Sequence, residues 1–235
     1  MRIDSWSAKA RFKMLAAGML MSAGMAYPQV SGTQTPSTMT KIVVRVMGPG
    51  IKPGSHAALP KTIYRAGEHY ARIEDPPDAR QRQEKLTIIA EPDAYSVNLI
   101  DKTGTVAQRQ GDANDLHVPM VLPFDPNHEL PNLDRLEFGD ELDFFERSGA
   151  TKTAGPLINS KPTDAYVLKE SFGMAKLVVR GGTDIPVTLS WQARDGTYKY
   201  EYMAYQDLPF DPALFAKPAG IRFKNVTPDT GAEEK

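Results

Sequence analysis

From Ile185 to Ala193, and again from Thr197 to Tyr205, apolar and polar side chains alternate, and the two runs are joined through Arg194-Asp195-Gly196. A period of two is that of a half-buried β-strand, and an Asp-Gly step between two such runs is the short-range signature of a hairpin. Alternation puts Ile185, Val187, Leu189 and Trp191 on one face and Thr188, Ser190 and Gln192 on the other. Tyr198, Tyr200 and Tyr202 alternate in the same way with Lys199 and Glu201. One face of this sheet must therefore be buried within the protein or covered by something else.

Similar runs recur along the chain. Strands are expected at 41–47, 61–65, 69–74, 86–90, 94–100, 105–110, 164–172 and 175–180, most of them separated by Gly, Pro, Asn or Asp, the pattern of consecutive hairpins. The middle differs. Three prolines between Leu116 and Pro131 predict an extended loop, after which Asn132 can cap a helix through LDRLEFGDELDFFERSG, with Leu133, Leu136, Leu142 and Phe145 on one side and Gly139 as a breaking point. The expected fold is mainly β (α+β): a curved antiparallel sheet or open half-barrel with one helical insertion near 132–148. LPFDP occurs at Leu122–Pro126 and at Leu208–Pro212, and a shared local turn explains the repeat because the flanking sequences differ.

At the N-terminus, Arg2, Lys9, Arg11 and Lys13 precede an apolar stretch from Met14 to Met25, and small residues at Gly24 and Ala26 suit cleavage before Tyr27. This is the layout of a secretory signal, and the apolar stretch is too short to span a bilayer. The expected organisation is a signal peptide at 1–26, a loose lead-in at 27–40, one β-rich domain at 41–225 and a fraying tail at 226–235. The mature protein is then periplasmic or secreted, with no transmembrane anchor after signal cleavage. Among 235 residues there is no cysteine, which excludes disulfides, thiolate metal sites and a lipidated N-terminal cysteine. The formal net charge is −1, and removing the signal takes away four basic residues and one acidic one. A remainder this acidic lacks the basic footprint that nucleic acid requires.

No catalytic constellation stands out. His56, His69, His117 and His128 share no i, i+3 or i+4 spacing; His117 and His128 lie in a loop with Asp112, Asp115 and Asp125, where solvated side chains are the expectation rather than a metal site. There is no G-x-S-x-G elbow, and Gly181-Gly182 leads into a strand rather than a helix, so a tight turn is expected there. Glu137, Asp140, Glu141 and Asp143 alternate with apolar residues and are expected on a solvated helix face. No enzyme activity, metal or cofactor is expected.

The serial hairpins opening with TIYRAGEHYARIE, the helical interruption and the Tyr-rich hairpin leading into YQDLPFDPALFAKPAGI resemble uncharacterised secreted bacterial proteins whose fold is similar to the lipoprotein-carrier half-barrel of the LolA/LolB type. The resemblance implies an open antiparallel sheet curled around an apolar concavity, with lipid or acyl chains as the ligand class. A binding or carrier-like module is then expected, its groove lined from Leu177, Val179, Val187, Leu189, Trp191, Tyr198, Tyr200 and Tyr202. The alternative is a structural or interaction protein of the cell envelope, in which the same apolar face is core and a sheet edge meets a protein partner.

Overall fold

The computed structural model describes residues 35–108, 133, 136–170, 173–193 and 195–226. The expected signal peptide, the loop at 116–131 with His117 and His128, the first LPFDP copy and the last nine residues lie outside them. Twelve strands form one curved sheet that is not closed into a barrel. In chain order they are β1 (Thr38–Met47), β2 (Lys61–Ala66), β3 (Tyr70–Glu74), β4 (Lys85–Ala90), β5 (Asp93–Asn98), β6 (Thr103–Gln108), β7 (Thr151–Ala154), β8 (Thr163–Glu170), β9 (Gly173–Arg180), β10 (Pro186–Ala193), β11 (Gly196–Pro209) and β12 (Arg222–Val226). Helix α1 (Glu141–Arg147) lies between β6 and β7 in the chain.

Across the sheet the strands run β12-β6-β5-β4-β3-β2-β1-β11-β10-β9-β8-β7. Two antiparallel meanders are thus joined by one long-range pair, β1 against β11, from Thr38 opposite Pro209 to Met47 opposite Lys199. A register shift between Val43 and Val44 leaves Met203 without a partner in that ladder, and its side chain is exposed. Only β12 pairs in parallel, with β6.

The sheet is covered from opposite sides in its two halves. On one face, Ile42, Val44 and Val46 of β1 join Tyr198, Tyr200 and Tyr202, Leu189 and Trp191, and Leu177 and Val179 in a large apolar cluster sealed by Leu136, Phe138, Phe144 and Phe145. Trp191 stacks on Tyr198 with ring centroids 5.4 Å apart. On the other face, Leu86, Ile88, Tyr95 and Val97 of β4 and β5 are covered by the chain leaving β11, where Phe215 is buried and Phe210 packs beside it. The 3-10 turn Pro212–Phe215 that carries this cover is capped by Asp211, whose side chain accepts from the Ala213 N–H at 2.9 Å. The second LPFDP copy is therefore a local turn after a strand, as its sequence predicts.

Several expectations change in detail. The strand expected from 41 begins at Thr38, inside the expected lead-in. Among the described residues of the expected helix, α-helix covers Glu141–Arg147, because Gly139 adopts φ +87 and interrupts the helical path before it. Neither β7 nor β12 was expected: β7 has four exposed residues and no apolar alternation, and β12 gains its hydrogen bonds from a strand far away in the chain. In β10 a register shift between Pro186 and Thr188 breaks the alternation, so Pro186 is buried and Val187 only half-buried.

Phe145 is fully buried at the junction of α1 with the sheet. Truncating such a ring removes its transfer energy and leaves a cavity, so Phe145→Ala is expected to lower the free energy of unfolding by about 3–5 kcal/mol in urea titration.

Candidate functional site

The eight residues singled out from the sequence divide sharply. Leu177, Val179, Leu189, Trp191, Tyr198 and Tyr202 are buried core, in contact with the protein's own side chains, and Val187 sits at the irregularity in β10. Tyr200 alone both belongs to that core and lines an open cavity.

The cavity, about 310 Å³, lies on β1–β3 on the same face as α1. Its apolar wall is Val44, Val46, Ile63, Ile73, Phe138 and Tyr200. Cross-strand register produces this wall: Ile42 faces Ile63, Ile63 faces Ile73, and Val44 faces Lys61, so successive strands stack β-branched side chains on one side. Phe138 contributes an edge-to-face ring contact with Tyr200 at 5.6 Å between centroids. Polar groups form the rim. The His56 ring lies with Nε2 2.7 Å from the Pro76 carbonyl oxygen, tying the 3-10 turn His56–Ala58 to the 75–85 connection, and Lys61 Nζ lies 2.6 Å from Asp75. Gln83 and Lys85 complete the side nearest β4.

The segment that carries Phe138 into the cavity is held by a buried polar cluster that corrects the solvated-face expectation for the acidic run. Glu141 is 1% and Glu137 6% exposed. The Glu141 carboxylate accepts from the Tyr202 hydroxyl at 2.9 Å and from the Gly139 N–H at 3.0 Å. Arg65 Nη1 donates to the Phe138 carbonyl at 2.8 Å and lies 2.7 Å from Glu137 Oε2. Only Asp140 and Asp143 behave as a surface pair, with Arg147 bridging back to Asp140. Sequence reasoning missed this cluster because the partners lie on β2 and β11, far from the helix in the chain. The signal that was available is Gly139, which breaks the helical period through the acidic run.

Burial pushes the Glu141 carboxyl up to about 7, against the opposing pull of the Glu141 and Gly139 N–H groups, the Tyr202 hydroxyl and Arg65. Burial also raises the Tyr202 phenol, and Glu141 beside it adds to the shift. The carboxyl is buried between Tyr202 and the turn at Gly139. At His69, Nδ1 lies 2.6 Å from Glu91, at the end of the β3–β4 pair where Tyr70 faces Ala90. Among the described residues, no three His, Asp or Glu side chains converge at metal-binding spacing. No helix among them is long and apolar enough to cross a membrane.

No protein-family model and no curated protein sequence matches the chain. Solved structures do. An uncharacterised conserved protein of Thermus thermophilus is similar at 7% identity over 81% of this chain and 91% of that one, with a TM-score of 0.46. The complex of MucA and MucB from Pseudomonas aeruginosa is similar at 10% identity over 80% of this chain, which spans 59% of the matched chain, with a TM-score of 0.41. A LolA superfamily protein from Nitrosomonas europaea is similar at 9% identity over 79% of this chain and 92% of that one, with a TM-score of 0.33. At this level of identity the likeness concerns backbone shape.

A carboxyl that titrates higher in the folded protein than in the unfolded chain makes the native state bind more protons between the two pKa values, so stability falls as pH rises through that window. For Glu141 the window runs from the ordinary 4.5 to about 7, and the full difference corresponds to about 3 kcal/mol. Urea titrations are expected to find the protein less stable at pH 8 than at pH 5, and Glu141→Gln is expected to remove most of that slope.

Proposed function

We propose that this chain is an exported, non-enzymatic binding module that holds an apolar ligand, a lipid or acyl chain, in the cavity on β1–β3. The observation that carries the reading is an open space with an apolar wall beside the large core cluster. At about 310 Å³ it lies at the lower end of ligand-pocket sizes. Each methylene placed there contributes roughly 0.8 kcal/mol, so a single chain is held reversibly. The N-terminal signal pattern supports export. The burial of Glu141 away from the cavity surface supports binding rather than catalysis.

The binding surface proposed here differs from the groove expected from the C-terminal strands. It uses Tyr200 from that set, together with residues of β1–β3 and Phe138. Native mass spectrometry and lipid extraction of the purified mature protein are expected to find a co-purifying apolar molecule. Ile73 is half-buried in the wall. Ile73→Trp is expected to fill the space and weaken binding of a neutral naphthylamine probe at least tenfold, with thermal unfolding still cooperative. A protein that neither carries lipid nor binds the probe overturns the reading.

A second reading, an envelope protein that pairs with a partner, is favoured by β7. All four of its residues are exposed, and among the described residues it pairs only with β8. An open edge of this kind accepts a further strand. Recovery of one protein species with the bait, lost when Lys152→Pro removes an outward-facing N–H of the open edge, would distinguish this reading from a carrier that yields only lipid.

A further inference from the structure

The cavity does not end at its polar rim. Gln83 and Lys85 line it and also line a wide, shallow groove over β4, β5, β6 and β12. Register makes the two continuous on one face of the sheet. Ile63 faces Ile73 and Ile73 faces Thr87; Thr87 then faces Ser96, Ser96 faces Thr105, and Thr105 faces Lys224. The neighbouring row runs from Lys85 to Asn98, Thr103 and Arg222. A single face thus passes from β-branched hydrocarbon to hydroxyls and then to cations within six strands.

The charge in this groove is one-sided. Lys85, Arg222 and Lys224 are exposed, and none forms an ion pair or side-chain hydrogen bond with another described residue. Among the described residues no carboxylate lines the groove; of those near it, Asp75 is engaged by Lys61 at 2.6 Å and Asp101 by the Asn98 amide at 3.0 Å, and Glu84 lies between Gln83 and Lys85 in the chain. Ser96, Thr103 and Thr105 leave their hydroxyls available beside the cations.

We infer that this face is the headgroup site of the ligand whose chain occupies the cavity, and that the ligand is an anionic amphiphile. The inference rests on the binding reading above and adds the sign and position of the headgroup. The apolar chain lies against Ile63, Ile73 and Tyr200, and the anionic group lies beyond Lys85, toward Arg222 and Lys224. An anion without a chain gains only the exposed, screened contacts and binds weakly.

Three single-chain probes of equal length, decyl phosphate, decyl maltoside and decyltrimethylammonium, are to be titrated below their micellar concentrations by displacement of the naphthylamine probe from the full chain. Decyl phosphate is expected to bind about tenfold more tightly than the other two at low salt, because three exposed charge contacts each contribute modestly. The gap is expected to close in the triple variant Lys85→Gln, Arg222→Gln, Lys224→Gln and to narrow at high salt, with thermal unfolding of the variant unchanged. Equal binding of all three probes overturns the headgroup site while leaving the binding reading intact. Displacement of decyl phosphate by millimolar inorganic phosphate also overturns it, by marking a free-anion site. Binding of none of the probes overturns both.

Discussion

A sheet that is covered on one side in one half and on the other side in the other half has a region at the changeover where cover is incomplete. Among the described residues that region is β1–β3. The helix and Phe138 seal the face formed by β1 and β8–β11, while the segment after β11 crosses over to bury Leu86, Ile88 and Tyr95 on the reverse face of β4 and β5. Among the described residues, the first cover ends at Phe138, and the second does not reach the same face of β4–β6. The cavity and the groove beside it follow from that arrangement, since alternation forces every strand to present both its faces to something.

What keeps the boundary in place is polar rather than apolar. Arg65 holds the Phe138 carbonyl, and Glu141 holds the Gly139 amide and the Tyr202 hydroxyl, so the non-helical turn before α1 has its buried groups satisfied. An apolar turn of the same length would leave those backbone groups without partners. The same cluster gives the wall of the cavity a fixed shape, because Phe138 is carried on a segment bonded at both ends.

Most of the hairpins were legible in the sequence because alternation and turn residues are local signals. The hairpin signalled by Asp195-Gly196 forms, although Gly196 pairs with Ala193 as the first residue of β11, and Tyr198, Tyr200 and Tyr202 share a face as their spacing implies. The rest depended on distant residues. Nothing near Glu141 announces that Tyr202 will meet it, so an acidic run reads as solvated surface. Val187 left the expected face because Pro186, which lacks an N–H, coincides with an irregular register. The tyrosines expected to line a groove are mostly packed in the core, Tyr198 against Trp191 and Tyr200 against Phe138, and the open space fell on strands read only as ordinary hairpins.

The pairing of β1 with β11 also sets the order in which the molecule can be finished. Ile42, Val44 and Val46 emerge early in synthesis, yet the strand that completes their ladder and core follows more than 150 residues later. Such non-local pairing folds slowly, because a long loop must close before it is rewarded. Until then β1 is an apolar strand with an unsatisfied edge, and the front of the domain is the segment most exposed to mispairing before the last meander arrives.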